Sequence, residues 1–191
     1  IGFRGSFGGG NFGMPTTELA DSYENKDGSA FNWNAFIPRF NEDIAVKRKA
    51  FMATQTNGKL NSIPDTALLG KIYRGRDPRM TASLIVPYSY HIGFVANVVR
   101  PLQFIVATGV SENFGQTRNN SGWYTYLWRK FVPEGNENGA MSVREHTPFN
   151  FPLIRFGDGL LMLSEAYNED GQLAKAVIEL NKVRARVGMP G

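Results

Sequence analysis

The sequence predicts a helical hairpin at its C-terminal end behind a long loop-rich region with brief strands, and three observations carry that prediction. The first is composition: 191 residues with 42% hydrophobic and 20% charged, 21 Gly, 10 Pro, 14 Phe and no Cys. A chain of this size buries enough surface for a core without metals or disulfides. The second is a change of character near residue 150, before which Gly, Asn, Ser, Pro and aromatics dominate and helical periodicity is poor. The third is the spacing after it. Leu173, Ala176, Val177, Leu180, Val183, Arg184 and Val187 recur at steps of three and four, which places them on one stripe of a helix.

Taken in order, the elements each have a local reason. The opening SFGGGNFG is a flexible loop: it lacks the Lys-Ser/Thr of a phosphate loop and the strand and helix context of a dinucleotide fold. A threonine of the Thr16-Thr17 pair can cap a helix start, with an acid, Glu18, in the first turn and Leu19 and Tyr23 four apart. Asp77 caps a second start with Pro78 at the first helical position, and the flanking Arg76 and Arg79 can pair with nearby acids. Leu84-Ile85-Val86 and Phe104-Ile105-Val106 read as brief strands. Residues 120–131 form a Gly turn leading into an aromatic β segment, with Trp123 and Trp128 on opposite faces and at least one of them in the core. The final two helices run from about Pro152 to Asn168 and from Leu173 to a Gly188 cap, broken at Glu169-Asp170-Gly171 and stopped by Pro190. Such a hairpin is the unit that tetratricopeptide-like repeats stack, because one alone cannot bury its stripe. A hairpin packing on its own domain fits the same pattern.

The same residues limit function. The net charge of +4 is spread over residues 39–49, 71–79, 129–130 and 175–186 and interleaved with 17 acids, without a nucleic-acid-binding motif. The apolar runs at 104–110 and 159–163 are far short of a membrane span. Without Cys, thiolate zinc, iron–sulfur clusters and cysteine nucleophiles are excluded, and two isolated histidines, His91 and His146, do not make a zinc site. No cofactor or metal is implied. A glycosidase would need two carboxylates held about 5 to 9 Å apart. The acids instead read as helix residues (Glu18, Asp21, Asp158, Glu165), a cap (Asp77) and solvated charge (Glu42, Asp43). The first residues carry neither an initiator Met nor a signal-peptide core, so the start reads as an internal cut.

Four segments in this order, PTTELADSYENKDG, YRGRDPRMTASLIVPY, SGWYTYLWRKFVP and FPLIRFGDGLLMLSEAYNEDGQLAKAVIELNKVRARVGMP, together resemble the SusD-like (RagB/SusD) family of nutrient-binding outer-membrane lipoproteins. The last is the most specific: a Pro-Leu-Ile-Arg run into a helix, a Glu-Ala-x-Asn-Glu helix end and an Asn-x-Val-Arg-x-Arg-x-Gly-Met-Pro finish. Gly157 and Gly159 depart from the family's Ala and apolar residue, which softens that helix by roughly 1 kcal/mol per Gly.

The resemblance implies a mainly α protein on a tetratricopeptide-like scaffold and a fragment of a longer chain. Residues 1–150 would be the variable ligand-facing region and 151–191 the return to the scaffold. It also implies a binding protein, not an enzyme, lipid-anchored through a missing N-terminus on the extracellular face of the outer membrane. There it would capture oligosaccharide, or in some relatives peptide, for a SusC-like TonB-dependent transporter. A carboxylate-pair glycosidase and a purely structural helical-repeat scaffold are the alternatives.

Sugar binding calls for flat aromatic faces against C–H surfaces and for amide or guanidinium partners to hydroxyls. Asn32, Trp33 and Asn34, in a polar stretch between Gly28 and Pro38, have that composition; the other reading of Trp33 is a loop anchor in the core. Arg4, Asn11 and Phe12 in the opening loop, and Tyr88, Tyr90 and His91 after the first strand-like run, complete the candidates.

Overall fold

Aspartate and threonine side chains set the starts of the helices in the first half of the chain. The computed structural model describes residues 15–56, 59–95, 98–107, 125–130, 134 and 152–191. Helix α1 (Thr17–Asp21) begins at Thr16, whose Oγ1 accepts the Leu19 N–H at 3.1 Å. Helix α2 (Ile44–Phe51) begins at Asp43, which accepts the Ala45 N–H at 2.8 Å, and ends with Arg48 and Lys49 against its negative dipole end. Helix α3 (Thr66–Arg74) is capped by Asp65, which accepts the Leu68 N–H at 2.8 Å. Its Leu69, Ile72 and Tyr73 are buried on one face. Helix α4 (Pro78–Ser83) follows the Asp77 cap with Pro78 in its first turn, as the sequence predicts. Helices α2 and α3 lie where a loop with brief strands was expected. Each is short; the Lys47-Arg48-Lys49 run dilutes the apolar period of α2, whereas α3 keeps one in Leu68, Leu69, Ile72 and Tyr73.

The strands form three separate antiparallel pairs: β1 (Thr54–Thr56) with β2 (Lys59–Ser62), β4 (Tyr90–Val95) with β5 (Val98–Gln103), and β3 (Leu84–Ile85) with β6 (Leu127–Trp128). The small β3–β6 sheet is buried on both faces. Leu84 points into a main core with Trp33, Phe40, Phe51, Leu69, Ile72, Tyr73 and Tyr126, whereas Ile85 and Leu127 join Phe104 and Val106 in a second cluster. The run at residues 104–107 divides in the same way, with Ile105 and Ala107 in the main core. It is extended chain placed beside, not within, a strand, so its alternation is that of a strand while its main chain bonds elsewhere: Val106 O accepts the Ala53 N–H at 2.8 Å. Trp128 packs half-buried against the main core; Trp123 lies outside the described residues.

Helices α5 (Phe156–Glu169) and α6 (Leu173–Ala185) form the hairpin that the sequence predicts, turning at Gly171 with φ +72°. Asp158 Oδ2 accepts the Arg155 N–H at 3.0 Å at the start of α5, and Ser164 Oγ donates to Ala176 O at 2.8 Å between the helices. Gly188 adopts φ +75°, and Met189 N–H returns to Arg184 O at 3.2 Å, closing α6 as the left-handed cap requires. The rest of the stripe is uncovered among the described residues: Leu173, Val177, Leu180, Leu161, Met162 and Leu163 are exposed, as are Leu153 and Phe156 before them at 89% and 84%. The architecture is mainly α, with the helices in two groups joined through the chain end. Arg184 Nη2 pairs with Glu24 Oε2 at 2.8 Å and its Nε donates to Pro190 O at 2.7 Å. Pro190 lies over Gly28, where a Cβ would come within 2.9 Å of Pro190 Cγ and where φ is +82°. That position requires glycine on both counts.

Candidate ligand-binding face

Tyr90 is the candidate whose ring the fold leaves available, and the β4–β5 hairpin is what presents it. In register, Tyr90 pairs with Gln103, His91 with Leu102 and Ile92 with Pro101. The two-residue period of a strand then puts Tyr90 (62% exposed), Ile92 and Pro101 toward solvent and His91 and Leu102 toward the core. The hairpin starts from an irregularity. Tyr88 has φ +62°, a left-handed conformation rare for a bulky residue, and Tyr88 and Ser89 together bond to Phe104, through Tyr88 N–H to Phe104 O at 2.7 Å and Phe104 N–H to Ser89 O at 2.9 Å. The Tyr88 hydroxyl secures this strained corner by donating to Phe51 O at 2.6 Å. Burial of that hydroxyl raises its pKa well above the ordinary phenol value.

Three of the residues singled out for sugar contact are therefore core residues. Trp33 is 2% exposed, stacked on Phe40 with ring centroids 4.6 Å apart and edge-on to Phe31, Phe51 and Tyr73. Its Nε1–H donates to Asp21 Oδ1 at 2.8 Å, so neither ring face nor ring nitrogen is left for a ligand. The core-anchor reading of Trp33 is the one the packing supports. Tyr88 is buried with its hydroxyl committed, and His91 is 2% exposed. Trp33 is drawn inward because its loop buries Trp33 and Phe40 against Phe51 and Tyr73, Tyr88 by the left-handed corner that carries its hydroxyl to Phe51 O, and His91 by the two-residue alternation of β4.

Asn32 is exposed and Asn34 half-buried, but their amides already serve the loop. Asn32 Oδ1 accepts from Asn34 N at 2.9 Å and Asn41 Nδ2 at 3.0 Å, and Asn34 bridges Glu42 Oε1 at 2.6 Å and the Asn41 N–H at 3.0 Å. Arg4, Asn11 and Phe12 lie outside the described residues. A separate cleft of about 340 Å³ between α2 and α3 is lined by Ile37, Val46, Ala50, Leu68 and Leu69, with Lys49 and Asp65 as its charged members. Among the described residues no group of three His, Asp or Glu is placed to hold a metal, and no helix is long and apolar enough to cross a membrane.

The SusD family profile matches residues 4–191. The chain belongs to the SusD family. The fold agrees: a SusD-like protein from Bacteroides fragilis superposes with a TM-score of 0.58 at 22% sequence identity, over 93% of this chain and 29% of that one. This chain thus spans under a third of the length of its structural relative. No curated protein matches it.

Within this SusD family chain the motif residues that carry the resemblance form a structural joint, not a ligand surface. Arg76 of RGRDPRM is 1% exposed, its guanidinium 3.2 Å over the Phe31 ring, and its Nη2 donates to Tyr23 O at 2.6 Å and Ala20 O at 2.8 Å. These are carbonyls at the open C-terminal end of α1, which Arg76 satisfies in place of a further turn. The expectation that both flanking arginines pair with acids therefore holds for Arg79 and fails for Arg76. Arg79 binds the Asp77 carboxylate through Nε at 2.8 Å and through Nη2. Burial alone would raise the Asp77 pKa, but the bonds from Arg79 outweigh it and hold the carboxyl below its usual range. Asp77 N–H and Lys26 N–H bond Glu24 O and Gly75 O, each at 2.9 Å, and Glu24 meets Arg184. Three of the four motif segments thus meet at one joint. Asp21, half-buried beneath Trp33, has its pKa raised by burial, against the opposing pull of the Trp33 N–H and Arg76.

His91 makes the hairpin acid-sensitive. Burial pushes its imidazole down from 6.5 to about 4; the Glu134 carboxylate opposes this and the Arg129 charge reinforces it. Because the folded value is the lower one, stability is complete above pH 6.5 and falls as the pH drops toward 4, where the unfolded chain binds a proton that the folded chain refuses. The loss at pH 5 is expected to be about 2 kcal/mol. His91→Leu should remove this part of the pH dependence, read as the difference between variant and parent urea midpoints at about pH 7 and about pH 5. Equal slopes for the two proteins would refute it.

Proposed function

We propose that this protein captures oligosaccharide at the outer surface of the cell and passes it to a SusC-like TonB-dependent transporter, held to the outer membrane by a lipid anchor. The observation that carries this reading is the SusD family match over residues 4–191. On this reading residues 1–150 are the ligand-facing region, with Tyr90 as the aromatic platform and Arg4 and Asn11 as candidate polar partners, whereas the amides of Asn32 and Asn34 hold their own loop. Residues 151–191 return to the scaffold, and the apolar face of α5 and α6 packs on further helices of the longer protein. Tyr90 suits the role because an exposed ring on a rigid strand can cover the C–H face of a pyranose at little entropic cost.

Binding without turnover is the expected chemistry. The described acids named as glycosidase candidates serve the fold in several cases: Asp21 accepts from Trp33, Asp43 and Asp77 cap helices, Glu42 holds Asn34 and Asp158 starts α5. In affinity electrophoresis through gels containing starch, xylan or mucin, the full-length protein should be retarded by at least one polysaccharide and release no reducing ends from it. Hydrolysis abolished by a single carboxylate substitution would overturn the reading in favour of a glycosidase.

A further inference from the structure

The outer edge of β4 has no partner strand among the described residues, yet two of its outward-facing main-chain groups, Tyr90 O and the Ile92 N–H, are bonded to side chains. In an antiparallel pair the N–H and C=O of alternate residues face the neighbouring strand, and those between them face away. Ser89 O bonds toward the β5 side, to Phe104 N–H, so the main chain of Tyr90 and Ile92 faces outward. Two side chains meet it there. Arg129 Nη2 donates to Tyr90 O at 2.8 Å, and Glu134 Oε2 accepts the Ile92 N–H at 2.9 Å. The two are joined by Arg129 Nε to Glu134 Oε1 at 2.9 Å. Together they offer one donor and one acceptor at the spacing of alternate strand residues, as a third strand would.

We infer that Arg129 and Glu134 act as a two-residue surrogate strand that closes the open edge of β4 and holds the Tyr90–Ile92 face in the geometry that receives the ligand. Arg129 is tied to the core in turn: its Nη1 donates to Thr81 O at 3.2 Å, and its N–H donates to Ser83 O at 2.9 Å next to the β3–β6 pair. The pair thus connects a hairpin lying outside the main core to α4. It also sits on either side of His91 in the chain, bonding residues 90 and 92, while His91 itself points the opposite way, toward Leu102. Both side chains are only partly exposed, at 27% and 33%, so water does not fully screen the ion pair. An edge closed by charged side chains is also protected from pairing with a foreign strand.

Arg129 and Glu134 are positioning residues on this account, and the inference rests on the glycan reading of Tyr90 given above. Two readouts on the full-length protein separate the two. Amide hydrogen exchange at Ile92 should accelerate by about tenfold or more in Arg129→Met and Glu134→Ala, and much less in Glu134→Gln, which keeps an acceptor for the Ile92 N–H. Affinity for the polysaccharide that retards the parent in the starch, xylan and mucin gels should fall about tenfold in Tyr90→Ala and about threefold or more in Arg129→Met. Combining the two should give no further loss, because Arg129 acts through Tyr90. If Tyr90→Ala binds as the parent does, the glycan reading of this face falls and the inference falls with it. If Tyr90→Ala weakens binding while Arg129→Met changes neither exchange nor affinity, or if the two losses add in full, the inference alone falls.

Discussion

Trp33→Ala should cost about 3 to 5 kcal/mol of stability, the range for deleting a large aromatic from a packed core. The ring touches Phe31, Phe40, Phe51 and Tyr73 and gives its N–H to Asp21, so the substitution opens a cavity among four aromatics and strips a half-buried carboxylate of its donor. A loss of that size is a large share of the 5 to 15 kcal/mol that typically separates folded from unfolded chains, and should lower Tm by about 10 °C. Thermal melts and urea midpoints measure it. Ligand affinity of the folded fraction should stay unchanged, since no face of the indole reaches solvent. The reverse result, lost affinity at an unchanged Tm, would return Trp33 to the binding site.

Arg76→Met is expected to be nearly as damaging, for a different reason. Methionine can fill much of the volume over Phe31, but it donates nothing, so Ala20 O and Tyr23 O are left without their guanidinium partner at the end of α1. Each buried polar group left unsatisfied costs about 1 to 3 kcal/mol, which gives about 2 to 6 kcal/mol for the two. Because the same joint holds Glu24 to Asp77 and Arg184, the loss should spread to the contact between the chain end and the Gly28 turn. Amide exchange at Asp77 and Lys26 should therefore accelerate together in the variant. Arg76→Lys should recover only part of the loss, since an ammonium can reach a carbonyl but cannot stack flat on Phe31. Full stability of Arg76→Met would show that the guanidinium is not what holds the joint.

These two residues mark where sequence reasoning succeeded and where it stopped. Caps and breaks were legible because their chemistry is local: Thr16, Asp77 with Pro78, Gly171 and Gly188 act on the main chain within a few residues, and each does so here as the sequence predicts. The stripe on α6 and the four motifs were legible too, the first as a period and the second as a pattern that identifies the family. Helix α2 was not, since its Lys47-Arg48-Lys49 run leaves too few apolar positions to show a period; α3 did carry a signal that went unread, in the Asp65 start and in Leu68, Leu69, Ile72 and Tyr73 at helical spacing. Nor was the pairing of Arg129 with Glu134, two ordinary surface charges in the sequence that only the path of β4 brings to the same edge.

The candidate site shows the same division. Residue type put Trp33 ahead of Tyr88, Tyr90 and His91, yet it could not separate site from core for any of them, because an aromatic ring suits a sugar face and a protein core for the same apolar reason. Which of them faces water depends on the two-residue alternation of β4, on the left-handed corner at Tyr88 and on how the Phe31–Phe40 loop folds over Phe51. The sequence by itself determined the family, through four motifs in order along the chain, and the starts of α1 and α4, the turn and end of the final hairpin and its apolar stripe, which depend on neighbours within a turn or two. The tertiary structure alone decided that Tyr90 is exposed while Trp33, Tyr88 and His91 are buried, because burial is set by contacts between residues far apart in the chain.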